Sequence, residues 1–166
     1  RAQIRPAFQG RFTRAGATET FQVPIRNTGE LGEDTYDLSV SSSWTVGLYH
    51  ADGTTSLTDT DGDGTVDTGS VAQGSTVTVT VKVQTPAVVN VGDYNSGHIT
   101  VRSSRDTSKS KTVTLQTAIP APFAQVYRDN ADGAMSLYLV QPAARAVKKA
   151  TSDGYYGYNM AVAEAP

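Results

Sequence analysis

Nine residues in the middle of the chain, Asp59-Thr60-Asp61-Gly62-Asp63-Gly64-Thr65-Val66-Asp67, place carboxylates at the first, third, fifth and ninth positions. A glycine stands sixth, and Thr65 offers its carbonyl at the seventh. These are hard oxygen donors on alternate residues. Such a chain can wrap a hard divalent cation, because Ca²⁺ takes six to eight oxygens at ~2.3–2.6 Å. A sharp turn at the sixth position brings the chain back around the ion, and glycine makes that turn at little steric cost. Four carboxylates this close repel one another without a cation, and nothing in the loop is basic. The expectation is a Ca²⁺ site built from Asp59, Asp61, Asp63 and Asp67 through side chains and Thr65 through its carbonyl. The twelfth position, where a bidentate acid would close the shell, is Ser70. Asp52 is the nearest acid that can complete it, with water as the alternative. The bland reading of the same residues is a solvated acidic turn, since Asp and Gly are turn formers in any protein.

The flanks, Gly53-Thr54-Thr55 and Gly69-Ser70, are turn formers as well, so no helices frame the loop. The segment therefore departs from an EF-hand. It resembles the shorter aspartate loop of dockerins, thrombospondin type 3 repeats and many extracellular bacterial modules.

No other constellation points to chemistry. His50 and His98 are far apart, cysteine is absent, and there is no G-x-S-x-G elbow, phosphate loop or H-E-x-x-H. His98 follows Gly97 where a strand is expected to start, which predicts an exposed ring. Asp34, Asp37 and Asp93 lie near turn signals, and nothing pairs them as a glycosidase would need. Asp129, Asn130 and Asp132 admit a second ion, but D-N-A-D-G is also the order of an ordinary hairpin turn. The chain is expected not to be an enzyme.

Charge divides the chain. From Asn27 to Val81 there is no Lys or Arg, yet nine acids fall there, whereas residues 1–26 carry five basic residues against Glu19. The formal net charge is −2. Such asymmetry orients partners. Scattered basic residues and an acidic pI argue against nucleic acid. No apolar run approaches the ~20 residues of a membrane span.

The elements that must position the loop read as strands. Thr, Val, Gly and Ser dominate the composition and favour strands and turns. In Ser75–Gln84, Val77, Val79, Val81 and Val83 face one way and Thr76, Thr78, Thr80 and Lys82 the other, the period of a half-buried strand. Thr20–Arg26 alternates Phe21, Val23 and Ile25. Thr35–Val40 alternates Tyr36, Leu38 and Val40. Trp44–Tyr49, His98–Ser103 and Lys111–Thr117 complete the set. Turn signals separate them at Asn27-Thr28-Gly29, Gln73-Gly74, Asn90-Val91-Gly92-Asp93 and Asn95-Ser96-Gly97. An all-β, Ig-like antiparallel sandwich over residues 1–118 follows, with the calcium loop inserted at about 50–71. Trp44 reads as a core anchor between the sheets, with a sugar platform as the rival reading. The Thr face of the Val77 strand reads as ordinary β-surface, with partner binding or glycans as the rival.

The order of "FQVPIRNTGE", "DTYDLSVSSSW" and "VAQGSTVTVTVKVQTPAVVNVGDYNSGHITVRSS" resembles bacterial and archaeal Ig-like modules of the NEW3 and CARDB type. Asn27, Gly29, Trp44, Gly74, Val77, Val79, Val81, Pro86, Gly92 and Tyr94 carry the likeness. The resemblance covers about residues 3–118. It implies an Ig-like sandwich in extracellular, multidomain proteins, without catalysis and without a shared ligand.

Residues 119–166 form a separate stretch. "IPAPF" reads as a stiff linker. "QVYRDNADGAMSLYLVQP" reads as a hairpin and resembles the opening strands of a propeller-like repeat. Ala143–Ala150 fits a strand better than a short helix. This C-terminal β-rich extension is expected to pack on a sandwich, its own or a neighbour's, by strand addition. Three functions are open. The first is a non-enzymatic, calcium-binding structural module of an extracellular or cell-surface protein. The second is a self-assembling subunit of an extracellular filament or sheath. The third is an accessory module of a secreted carbohydrate-active enzyme that meets polysaccharide.

Overall fold

The computed structural model describes residues 1–120 and, beyond them, the backbone of three strands at 124–129, 135–140 and 148–151. The first 120 residues hold nine strands. They are β1 (Ala2–Ile4), β2 (Phe8–Phe12), β3 (Thr18–Asn27), β4 (Asp34–Ser41), β5 (Thr45–Tyr49), β6 (Asp67–Val71), β7 (Thr76–Gln84), β8 (Tyr94–Ser103) and β9 (Ser110–Ala118). One sheet has the order β1-β3-β7-β5 and the other β2-β9-β8-β4-β6. The all-β, Ig-like sandwich expected from the sequence is the observed fold.

Period-two alternation explains the core. Phe21, Val23 and Ile25 of β3 are fully buried, and antiparallel pairing sets them beside Val81, Val79 and Val77 of β7. Across the sandwich lie Tyr36 and Leu38 of β4, Ile99 and Val101 of β8, and Val113 and Leu115 of β9. Each such side chain contributes about 1.5–3 kcal/mol when it leaves water, so the two apolar faces hold the sheets together. Val40 lies past the end of this core and is exposed.

Several expectations change. The sandwich is not wholly antiparallel: β2 runs parallel to β9, from Phe8 opposite Thr114 to Phe12 opposite Ala118. The first strand therefore splits, with β1 in one sheet and β2 in the other, and the peptide bond between Arg5 and Pro6 at the crossing is cis. Asn95-Ser96-Gly97 is strand, not turn, within β8. Its polar residues tolerate the interior because Asn95 Oδ1 accepts from Ser42 Oγ at 3.1 Å, Ser43 N at 3.1 Å and Ser43 Oγ at 2.8 Å. His98 is exposed as expected, though in mid-strand. Trp44 is only half-buried and packs against the margin of the core, while Tyr36 and Phe21 are the enclosed aromatics. Nor is the Thr face of β7 open throughout. Thr80 is fully buried, because the turn after β5 folds over it and brings Gly53 near its methyl group.

Asn27 ends β3 and organises one end of the sandwich. Its Nδ2 donates to the carbonyls of Gly32 and Val71, both at 2.9 Å, and its Oδ1 accepts from Gly29 N at 2.9 Å. A Cβ on Gly29 would lie 2.7 Å from the backbone nitrogen of Arg1, so only glycine fits there. This is the physical content of the Asn-x-Gly turn.

Strands β10 (Ala124–Asp129) and β11 (Met135–Val140) pair antiparallel as a hairpin, and β12 (Lys148–Thr151) pairs antiparallel with β11. The turn at 130–134, most of the 119–123 linker, residues 141–147 and 152–166 lie outside the described residues, as does the second-ion reading of Asn130 and Asp132. No helix in the described part is long and apolar enough to cross a membrane.

Candidate metal centre

The span 50–71 does not run as one long loop. Its first part is a tight return. His50 N donates to Thr55 O at 2.8 Å, Gly53 N to His50 O at 2.9 Å, and Leu57 N to Leu48 O at 3.0 Å. Tyr49 bridges Ser56, and Leu57 is buried in the core. The chain is thus fixed to β5 before the aspartate segment begins. At the other end Val66 O accepts from Leu38 N of β4 at 2.8 Å, and Asp67 N donates to Thr58 O at 3.1 Å. The loop leaves and re-enters the sandwich at one point, and Asp67 opens β6.

Within that closed base the carboxylates order the backbone. Asp59 Oδ1 accepts from Gly62 N at 2.7 Å and its Oδ2 from Gly64 N at 2.8 Å. Gly62 and Gly64 both have positive φ, 80° and 89°, where a side chain would be strained. Asp63 Oδ1 accepts from Thr65 N at 2.7 Å. Asp67 is 1% exposed. Its Oδ2 accepts from Thr60 N at 2.6 Å, and its Oδ1 accepts from Thr60 Oγ1 at 2.6 Å and Gly69 N at 2.5 Å.

One carboxylate oxygen from each of Asp59, Asp61 and Asp67 lies within 4.8 Å of the others. Oxygens bound to one Ca²⁺ at about 2.3–2.6 Å can stand no farther apart than roughly twice that distance, so this spacing fits a shared ion. Lone pairs remain as well. A carboxylate offers about four acceptor sites, and the bonds above leave Asp59 two and Asp67 one. The donor set is all oxygen and all anionic, which suits Ca²⁺ over softer metals. Backbone N–H groups of Gly64 and then Gly62 hold the Asp59 carboxyl below the usual carboxylate range, so this exposed residue is ionised at neutral pH.

Two other expected side-chain ligands stand apart from the three. The Asp63 carboxylate belongs to the same loop but not to the converging group, and Thr65, expected to offer its carbonyl, donates its N–H to Asp63 Oδ1. Asp52 is engaged in its own turn, accepting from Thr54 N at 2.8 Å, Thr55 N at 2.9 Å and Thr55 Oγ1 at 2.6 Å. The Thr55 hydroxyl, and then the two amides, hold its carboxyl well below the ordinary range.

Asp34 and Asp37, read from the sequence as turn acids, are instead buried on β4. Asp34 accepts from Ser103 Oγ at 2.6 Å, and Asp37 from Ser104 Oγ at 2.7 Å and Arg102 at 3.3 Å. Burial first, and the Asp34 carboxylate second, push the Tyr36 hydroxyl well above its usual range. The one available signal was cross-strand register, since Asp37 faces Arg102 directly; it becomes visible only once β4 and β8 are paired. These groups stitch β4 to the end of β8. Asp93 caps a turn by accepting from Asn90 N at 2.6 Å.

No family model matches the chain, and no curated protein matches it. Among solved structures, it is similar to the human CEP192 PapD-like domain 7, at 14% identity and TM-score 0.42 over 73% of this chain and 87% of that one. It is also similar to a chain of the CsuC–CsuE chaperone–tip adhesion subunit complex from the Csu pili of Acinetobacter baumannii. There the identity is 12% and the TM-score 0.41, over 85% of this chain and 71% of that one. A third similar structure is the periplasmic chaperone SfaE, at 6% identity and TM-score 0.39, over 90% of this chain and 98% of that one. At these identities and scores the likeness carries nothing beyond the two-sheet fold already visible in the strand order.

Proposed function

We propose that this chain is a non-enzymatic, calcium-stabilised Ig-like module of an extracellular or cell-surface protein. The observation that carries the reading is the convergence of Asp59, Asp61 and Asp67 oxygens within 4.8 Å at the closed base of a loop. Two of the three are exposed, and the third is anchored in β6. Asp63 and the Thr65 carbonyl, with water, complete the shell when the ion binds. The chain has no cysteine, and a bound ion is the staple that a small secreted domain without disulfides can use. The ion ties the loop to β4 and β6 and links binding to folding. Partners are reached through strand edges: β2 and β6 end the five-stranded sheet, and a neighbouring domain or a second copy can add a strand there.

Titration calorimetry tests the metal. Wild type is expected to give a binding heat with Ca²⁺ and a much weaker one with Mg²⁺, which demands a smaller octahedral shell. Asp61→Ala, exposed and outside the hydrogen bonds that form the loop base, is expected to lose the heat and stay folded. Equal heats for the two proteins, or none in either, would sink the reading.

A further inference from the structure

The two lateral sides of the sandwich carry opposite charge. On one side are β1 and β2, the first strands of the two sheets, with β9 beside them. Arg1, Arg5, Lys109 and Lys111 lie there, all exposed. Two adjoining hollows, of about 490 and 320 Å³, share Arg1, Ala2 and Lys111 with no acidic residue in their lining, and a third of about 350 Å³ sets Glu30, Asp34 and Asp106 beside Arg1 and Lys109 at one end of this side. Among the described residues, no carboxylate forms an ion pair with Arg5, Lys109 or Lys111. Phe8 and Phe12 of β2 are 56% and 48% exposed on the same edge. The opposite side is made by β5 and β6, the last strands of the two sheets. The connection between them carries Asp52, Asp59, Asp61 and Asp63, all exposed. No Lys or Arg occurs anywhere from Asn27 to Val81.

We infer that the β1–β2–β9 edge is a docking surface for the acidic β5–β6 edge of a second copy of this chain, so that copies join head to tail. The inference rests on the reading that partners join through open strand edges, and it names the partner. Three features favour a second copy over another anion. The charges are matched within one chain. They lie on opposite sides, so one contact leaves both outer faces free for the next. Each side also ends in an open strand of the same five-stranded sheet, β2 on the basic side and β6 on the acidic side. Such a heterologous contact repeats, whereas a two-fold contact would set basic edge against basic edge. Complementary potentials steer encounter and fix register, and wrong pairings meet like charges. Phe8 and Phe12 give the contact an apolar centre, where aromatic residues contribute most.

Sedimentation velocity on the full chain, in chelator, tests this without reference to metal. Wild type is expected to associate at low ionic strength and to dissociate as salt rises. Arg5→Glu with Lys111→Glu removes the basic edge, and Asp61→Lys with Asp63→Lys removes the acidic one. Each double variant alone is expected to associate roughly a hundredfold more weakly, because like charges then face each other. An equimolar mixture of the two is expected to recover association, since the kept acidic edge of one meets the kept basic edge of the other and the two reversed edges also carry opposite charge. All four side chains are exposed, and circular dichroism checks that each variant folds. If a pair fails that check, Arg1→Glu with Lys109→Glu replaces the basic set. Three results overturn the inference: wild type monomeric at every salt concentration, a mixture that stays monomeric, or an acidic-edge variant that associates like wild type. The last would mean that the basic edge takes some other anion. Adding Ca²⁺ to wild type reports separately on the metal site: bound ions reduce the charge of the acidic edge and weaken the association, while the chelator results stand whatever calcium does.

Discussion

Asp52 and Asp59 stand at the heads of two neighbouring turns and use the same device. Each carboxylate gathers donors a few residues ahead, and each is held ionised by them. The outcomes differ because of what surrounds them. Around Asp52 the only hydrogen-bond partners among the described residues are Thr54 and Thr55, and the turn is complete as it stands. Around Asp59, the bonds from Gly62 and Gly64 bend the chain so that Asp61 comes in and Asp67 arrives from β6. A capped turn becomes a candidate ion site when a second strand delivers another carboxylate to it. Sequence spacing supplies the first ingredient. The fold supplies the second, by closing the loop base at Thr58 and Asp67.

The largest expected effect is at the delivered carboxylate. Asp67→Ala strips the acceptor from Thr60 N, Thr60 Oγ1 and Gly69 N at a site only 1% exposed. Hydrogen bonds to a charged acceptor contribute about 1.5–3 kcal/mol each, but Thr60 is exposed and Gly69 half-buried, so water takes up part of the freed donors and the expected loss is about 2–4 kcal/mol. Urea denaturation in chelator reads it as a lower midpoint at unchanged slope. A loss no larger than that of Asp52→Ala would erase the distinction between the two turns.

How much of this was legible follows the same division. Strands β3 and β7 were plain, because Phe21-Val23-Ile25 and Val77 to Val83 alternate and the interior face is wholly apolar. Strand β6 was not: Asp67-Thr68-Gly69-Ser70-Val71 holds one large apolar residue and reads as loop. It becomes a strand because β4 offers an edge and Asp67 is anchored by Thr60. Likewise Asn95 and Gly97 carry turn signals, but Ser42 and Ser43 donate to the buried Asn95 Oδ1 and the backbone stays extended, while Asn95 Nδ2 has no partner among the described residues. Of the expected ligands, local spacing named Asp59, Asp61 and Asp67 alike. That Asp67 is buried and anchored in β6 required the long-range pairing of β6 with β4, and the parallel run of β2 beside β9 had no local signal at all.

Calcium should separate the turns next. At a hundredfold excess over the dissociation constant, a ligand that binds only the folded state adds about 2.7 kcal/mol. For a domain of this size that raises the melting temperature by about 5–10 °C. The gain should vanish in Asp61→Ala and persist in Asp52→Ala. An unchanged melting temperature at saturating calcium in wild type would mean that the ion does not couple to folding.

Acid sharpens the same contrast. Both Asp52 and Asp59 have folded-state values below the unfolded reference of about 3.9. Each therefore contributes stability that is present above that reference and is lost as pH falls through the lower folded value. Without metal, melting temperature should stay level near neutrality and decline only in that acidic window. With calcium the decline should begin at higher pH, because ligands must be deprotonated to bind. Parallel curves with and without calcium would show that the acid-sensitive carboxylates are not the metal's.

The smallest expected effect belongs to Asp52→Ala. Its carboxylate is exposed and its donors are the amides and hydroxyl of its own turn, which water can replace. The turn is also held by His50 and Gly53 backbone bonds and by the Tyr49–Ser56 bridge, so its shape does not depend on Asp52 alone. A slight fall in melting temperature and an unaltered calcium titration are expected. This variant is nevertheless the sharper test of the comparison. If Asp52 swings across to complete the shell that Ser70 leaves open, calcium affinity will drop in Asp52→Ala while chelator stability barely moves. The two turns would then be one site, with Asp52 released from Thr54 and Thr55 by the ion itself.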